Sequence, residues 1–268
     1  MSTNINFIKS LGLGLETRID LPAFDVSYKA ILDRAIFLGY SLPSIDQQTK
    51  QNTFLVTLKS AGVWNKLDVL YVFAQNGGSQ FATLNWKNPS ANQSTLSSPT
   101  PPTFVTNGGF QGNGVDSFID TNFNPATQGV QYTLNNASRY FFTHAISGSG
   151  RFDGNTSSGI NSIVRGPATS QRINSGSVGT LATSFDYTAT VNTKSIHRTS
   201  SVDVTLYNET TGVSNTQTST GITSANQFVL RSGPAYAAHT CAAYAMGASM
   251  ISENTNFVNA WNIYKSSI

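Results

Sequence analysis

The sequence predicts a mainly β protein: an antiparallel sandwich with an N-terminal arm, two early helices and one terminal helix. Three observations carry that prediction. From residue 139 to residue 249, short apolar stretches recur between Gly-, Ser- and Asn-rich turns, without the long helical periods that alternating βα units require. Only 11% of residues are charged, less than half the usual share of about 25%, and Ser, Thr, Asn and Gln supply the polarity instead. Before residue 65 and after residue 252 the apolar spacing turns helical.

Taken in order, residues 1–24 read as an extended arm. Leu11-Gly12-Leu13-Gly14-Leu15 matches no helical period, and Pro22 blocks helix continuation. A helix is expected over 27–39, with Ser27 as N-cap, Tyr28, Ile31, Leu32, Ala35 and Leu38 on one face, and Gly39 as its stop. A second helix is expected over 44–60, with Ile45, Phe54, Leu55 and Leu58 as its apolar face and Gln47–Asn52 as a solvated face.

At residue 67 the period changes. Leu67–Phe73 is a nearly continuous apolar strand, and Phe81–Trp86 is expected as a second strand after the Asn76-Gly77-Gly78-Ser79 turn. Pro89, Pro99, Pro101 and Pro102 make the stretch from Lys87 to Pro102 a loop. Later strands are expected at Arg139–Ile146, Gly159–Arg165, Ser170–Asn174, Thr193–Arg198, Val202–Tyr207, Gln227–Arg231 and Thr240–Ser249. A terminal helix then places Phe257, Ala260, Trp261 and Tyr264 on one face. The organisation expected is an anchoring or oligomerisation region over 1–65 and a sandwich over 66–268.

Between these lies Gly108–Pro125. Glycines at 108, 109, 112 and 114 lead into a strand, Ser117 to Thr121, with Phe118 and Asp120 on one side and Ser117, Ile119 and Thr121 on the other. From Phe110 onward this segment resembles the pattern F-x-G-x-G-x-x-x-(Y/F)-(I/L)-(D/N)-T-x-(F/W)-x-P near the start of concanavalin A-like (laminin-G-like) domains, particularly those of phages and prophages. Ser200–Asn208 and its turn are similar to the family's V-x-L-Y hairpin. Ala245–Ile251 followed by Phe257–Tyr264 is similar to its closing strand and helix. The resemblance spans roughly residues 67–268 and implies an antiparallel jelly-roll β-sandwich in a virion structural protein of a bacteriophage.

Some relatives of that fold are glycoside hydrolases, whose activity needs paired carboxylates about 5 Å apart for retaining chemistry. The glutamates here are Glu16, Glu209 and Glu253, and no E-x-D-x-x-E motif can be drawn. Asp116 and Asp120 read as turn-bonding residues. His144, His197 and His239 show no metal-ligand spacing, so neither a metal nor a cofactor is expected. No Gly-x-Ser-x-Gly elbow occurs, although a Ser-His-Asp triad assembled from distant residues stays open at this stage. Gly108–Gly114 lacks the Lys-Ser/Thr of a phosphate loop. No catalytic residue is assigned, and the chain is expected not to be an enzyme.

The net charge is +3, with eight basic against eight acidic residues over 1–134 and eight against five over 135–268. No basic run exists, so nucleic acid is not an expected partner. The single cysteine, Cys241, lies in an apolar run and reads as a buried small hydrophobe. Met1–Asn6 is polar and no apolar signal region follows it. No stretch approaches the apolar length of a membrane span. The expectation is a chain made in a host cytoplasm and carried in a virion, on the head or tail. Residues 1–65 would dock on other virion proteins or on further copies of the chain. The sandwich would be displayed for attachment to a host-surface glycan. A free carbohydrate-binding lectin and a divergent polysaccharide depolymerase are the alternatives. Trp86, Tyr187, Tyr236 and His239 are possible sugar platforms, and the ligand site itself is unassigned.

Overall fold

The computed structural model describes residues 23–148, 150–155, 162–164, 166–167, 171–176, 186–187 and 191–268. Residues 1–22 of the expected arm and parts of the strands expected at 159–165 and 170–174 lie outside the described residues. In chain order, α1 (Val26–Phe37) and α2 (Ile45–Ser60) lead through a 3-10 turn at Trp64–Lys66 into β1 (Leu67–Val72). Then come α3 (Ser79–Ala82), β2 (Thr95–Leu96), β3 (Thr103–Val105), β4 (Gly109–Gln111), β5 (Ile119–Asp120), α4 (Pro125–Gln128), β6 (Ala137–Ala145) and β7 (Arg151–Gly154). The remaining strands are β8 (Ser162–Val164), β9 (Gly166–Pro167), β10 (Asp186–Tyr187), β11 (Thr193–Arg198), β12 (Asp203–Asn208), β13 (Thr211–Thr216), β14 (Phe228–Val229), β15 (Arg231–Ser232), β16 (Ala235–Tyr236) and β17 (Thr240–Gly247). Helix α5 (Asn254–Ser267) follows them.

The strands form an antiparallel sandwich. The larger sheet runs β13-β12-β11-β6-β17-β4-β3. The edge of β17 not taken by β6 is shared between β4, near Thr240, and β1, from Ala243 onward. The smaller sheet runs β2-β5-β14-β7-β8. One core lies between the sheets, where Val69, Tyr71, Phe110, Ile119, Phe141, Phe152, Val229 and Tyr244 pack together. A second core lies on the other face of the larger sheet. There Leu70, Val72, Tyr140, Phe142, Ala243 and Ala245 meet Phe54 and Leu55 of α2 and Phe257, Trp261 and Tyr264 of α5. The molecule is thus three layers deep, and α1 and α2 share a core with the sheet. Each large apolar side chain buried this way contributes on the order of 1.5–3 kcal/mol.

Across the inner core runs a charged clamp. Arg139 of β6 donates to both carboxylate oxygens of Asp153 on β7, each at 2.7 Å, and both side chains are fully buried. Tyr244 of β17 donates to Asp153 Oδ2 at 2.8 Å. A carboxylate taken out of water needs such partners, or its desolvation would cost several kcal/mol.

Several expectations are corrected by the packing. The N-cap of α1 is Asp25, whose Oδ1 accepts from Ser27 N (2.8 Å) and pairs with Lys59 of α2 (2.6 Å), so the cap sits two residues earlier than expected. Ile45 is exposed, while Gln47, Gln48 and Gln51 are buried. The face expected to be solvated is therefore an internal amide network. Gln51 Oε1 accepts from the Tyr28 hydroxyl (2.6 Å), its Nε2 donates to Tyr264 (3.3 Å), and Gln47 Nε2 donates to Tyr264 (3.2 Å) and Asn107 (3.3 Å). Phe81–Trp86 is not a strand: α3 and a turn bury Phe81, Ala82, Leu84 and Trp86 together. This segment still lies along β1, because Trp86 N donates to Leu70 O (2.7 Å), while Asn85 Oδ1 stands in for a carbonyl and accepts from Leu70 N (3.2 Å).

Candidate functional site

The residues singled out from sequence are placed as follows. Asp116 Oδ1 accepts from Asn113 Nδ2 (2.7 Å) and its Oδ2 from Thr100 Oγ1 (2.9 Å). Asp120 Oδ1 accepts from Asn122 N (2.7 Å) and Asn226 Nδ2 (3.1 Å). Both serve turns, and the motif's glycines are geometric. A Cβ on Gly109, whose φ is +105°, would fall 2.0 Å from the Cys241 carbonyl oxygen, and one on Gly112 would fall 2.0 Å from that of Ala237. Ser117, Ile119 and Thr121 are buried while Phe118 and Asp120 are half-buried, the alternation the sequence called for.

Glu209 accepts from Thr193 N (2.9 Å) and from Asn262 Nδ2 (3.1 Å), and Glu253 pairs with Lys66 (2.6 Å). Glu16 lies outside the described residues. Cys241 is buried, and burial pushes its thiol pKa up. Among the described residues no group of three or more His, Cys, Asp and Glu side chains gathers into a metal site. Of the possible sugar platforms, Trp86 and His239 are buried and Tyr236 is half-buried, while the Tyr187 side chain lies outside the description.

One Ser–His pair does form, between Ser195 Oγ and His197 Nε2 at 3.1 Å. Met250 N donates to His197 Nδ1 at 3.2 Å. The ring proton therefore sits on Nε2 and points at the serine, the tautomer opposite to that of a general base. Burial, with a smaller contribution from the Lys66 ammonium, pushes the imidazole down to about 3. This pair fastens the turn at Met250 onto the sheet.

An open surface depression among the described residues lies elsewhere, on the lateral strands of the larger sheet. On β12, Val204 and Leu206 point into the inner core, so Asp203, Thr205 and Tyr207 point to the other face. On β13, Gly212, Ser214 and Thr216 stand opposite Tyr207, Thr205 and Asp203. Together with Thr199, Thr210 and Ile251, all of these except Thr216 line an open depression of about 510 Å³. The Tyr207 ring lies against Gly212, where a Cβ would sit 2.4 Å from a ring carbon, and His197 meets the ring edge-on at 5.2 Å. Tyr207 makes no hydrogen bond from its hydroxyl to a described residue, and burial raises its pKa. Asp203 Oδ2 accepts from Ser200 Oγ (2.7 Å), which leaves Oδ1 for another donor.

An aromatic floor, hydroxyls that donate and accept, and one carboxylate acceptor suit a polyhydroxylated ligand. Sequence reasoning read the strand Val202–Tyr207 but did not single out Tyr207. The alternation that turns Tyr207 away from the core was readable. The edge of the helix layer, which leaves its ring only half-buried, was not.

No protein-family model matches the chain, and no curated protein matches it. Among solved structures it is similar to domain 4 of a GH43 extracellular arabinanase from Geobacillus stearothermophilus, in complex with arabinotriose, at 14% identity and a TM-score of 0.35, covering 72% of this chain and 98% of that one. It is also similar to the botulinum neurotoxin serotype D binding domain, at 9% identity and a TM-score of 0.39, covering 76% of this chain and 52% of that one. Likeness at this level does not bear on ligand or mechanism.

Proposed function

We propose that this protein is a non-catalytic, saccharide-binding sandwich carried by a bacteriophage virion for attachment to a host surface. The observation that carries the binding reading is the Tyr207 ring, seated against Gly212 and surrounded by Asp203, Thr205 and Ser214 in an open depression. A pyranose would lay its apolar face on the ring and exchange hydroxyl hydrogen bonds with these side chains. A depolymerase would need two carboxyl groups facing each other across a groove, and Asp203 is the one carboxylate among the lining residues.

The virion setting rests on the sequence resemblance and the charge-poor composition. The solvent side of the helix layer adds support, since Ile36, Phe37, Ile45, Val56 and Ile263 are all exposed there. Apolar side chains concentrated on one layer suit docking onto other virion proteins or another copy of the chain.

The test is a glycan array probed with the full chain and with Tyr207→Ala. The expected result is binding to at least one neutral oligosaccharide, weakened about ten-fold or more by Tyr207→Ala with the melting temperature nearly unchanged. A silent array, or full affinity in the variant, would overturn the depression as a glycan site. Mass spectrometry of purified phage particles lacking this chain would overturn the virion setting.

A further inference from the structure

On the opposite side of the molecule, the outer face of the smaller sheet carries an arginine held on an aromatic bed. The guanidinium carbon of Arg231 lies 4.5 Å from the ring centre of Phe118, 4.9 Å from that of Phe228 and 5.2 Å from that of Tyr236. The rings also support one another, with Phe118 at 5.0 Å from Phe228 and 6.1 Å from Tyr236. Arg231 Nε donates to the Gly233 carbonyl at 3.0 Å, which fixes the plane of the group.

The hairpin that delivers Arg231 is seated firmly. Arg231 stands opposite Tyr236 in the β15–β16 register. Gly233 N donates to Asn155 O (2.8 Å), and Gly154 lets the hairpin lie on β7, since a Cβ there would fall 2.2 Å from the Ser232 side chain. Two buried guanidinium groups, by contrast, spend their terminal nitrogens internally. Those of Arg139 go to Asp153 and the Arg172 carbonyl, and those of Arg198 to Ile173, Ser200 and Gln217. Arg231 makes no ion pair and no bond from its terminal nitrogens to a described residue. The Tyr236 hydroxyl is likewise unbonded to any described residue.

We propose that Arg231, with Tyr236 and Phe118, is a binding site for a saccharide bearing a carboxylate. A guanidinium presents parallel N–H groups that match a carboxylate in a two-point pair, and half-exposed rings beside it take the apolar face of the sugar. Because stacking and the Gly233 bond already restrict the side chain, little rotamer freedom is lost on binding. Asp120 adds a negative charge to the same sheet. It stands directly opposite Phe228 in the sheet, so a singly charged carboxylate is tolerated better than a phosphate dianion.

The test uses the full chain and a glucuronate-containing oligosaccharide, compared with the same oligosaccharide after its carboxyl groups are reduced to hydroxymethyl groups. Titration calorimetry is expected to give binding that weakens at least about ten-fold on carboxyl reduction and falls as salt is raised. Arg231→Gln removes the preference for the acid. Arg231→Lys keeps the charge but recovers only part of it, because the planar fork is gone. Tyr207→Ala leaves this binding unchanged, which separates the site from the depression around Tyr207. Equal affinity for the acid and its reduced form, or no binding of the acid at millimolar concentration, would overturn the proposal. If Arg231→Gln fails to fold, the comparison of acid and reduced ligand on the native chain still decides the matter.

Discussion

The central and lateral strands of the larger sheet are built under different constraints. β1, β6 and β17 are covered on both faces, by the smaller sheet on one side and by helices on the other. Along β17 the large side chains Tyr244 and Met246 face the sheet-to-sheet core, while Ala243 and Ala245 face the helices. Small residues there let Phe257 and Trp261 approach the sheet closely. β12 and β13 bury one face only: Val204, Leu206 and Val213 point inward, and Thr205, Tyr207 and Ser214 point to the bare side. Cover buries both faces of the central strands, and its absence leaves one face of β12 polar. The lesson bears on the proposed function, because the depression around Tyr207 lies where the cover stops.

The two covered faces differ again in how they handle polarity, and mutation can test that difference. The inner core holds a full ion pair, Arg139–Asp153, with Tyr244 as third partner. Asp153→Ala leaves a guanidinium and a phenol hydroxyl buried without their acceptor, and is expected to cost about 3–5 kcal/mol in urea unfolding. A loss below about 1 kcal/mol would mean that water reaches the clamp.

The outer core holds neutral amides instead. Gln51→Ala removes the acceptor of Tyr28 and a donor to Tyr264, both buried, and is expected to cost about 1–3 kcal/mol in the same assay. The order of these two effects is the sharper claim. If Gln51→Ala destabilised more than Asp153→Ala, the helix layer and not the joint between the sheets would be the polar keystone.

That amide network also marks where the sequence was legible. Phe54, Leu55 and Leu58 declared α2 and its buried stripe, and Phe257, Ala260, Trp261 and Tyr264 declared α5. Glutamine carries no such sign, since its burial depends on tyrosines that arrive from more than 200 residues away, as Tyr264 does. β13 escaped notice because Thr211-Gly212-Val213-Ser214-Asn215-Thr216 is polar along most of its length and pairs only because β12 precedes it across a tight turn. Phe81–Trp86 looked like a strand because apolar residues at 81, 82, 84 and 86 fit more than one geometry. The turn motif at Gly108–Pro125 read well because close backbone approach demands glycine and leaves a mark in the sequence. The two proposed surface sites were hidden for one reason. Tyr207 and Arg231 are ordinary residues on short strands, and only the third dimension uncovers one and beds the other on rings.

The boundary between covered and bare sheet runs through β11, and His197 reports on it. Its imidazole lies under the Met250 turn, fully buried, with its pKa pushed down to about 3, mainly by burial. The unfolded chain holds it near 6.5. A folded pKa below the unfolded one means that the unfolded state takes up the proton first. The stability this residue contributes is therefore complete above about pH 6.5, and it is lost as pH falls toward 3 at roughly 1.4 kcal/mol per pH unit. His197→Asn keeps an acceptor for Met250 N and removes the titration. The difference in unfolding free energy between the native chain and this variant is expected to shrink steadily from pH 6.5 to pH 4, isolating the imidazole from the carboxylates that titrate in the same range. A difference that stays flat would mean that His197 protonates in the folded protein near its ordinary value. Water would then reach β11, and the bare surface would begin one strand closer to the centre than the packing of the Met250 turn implies.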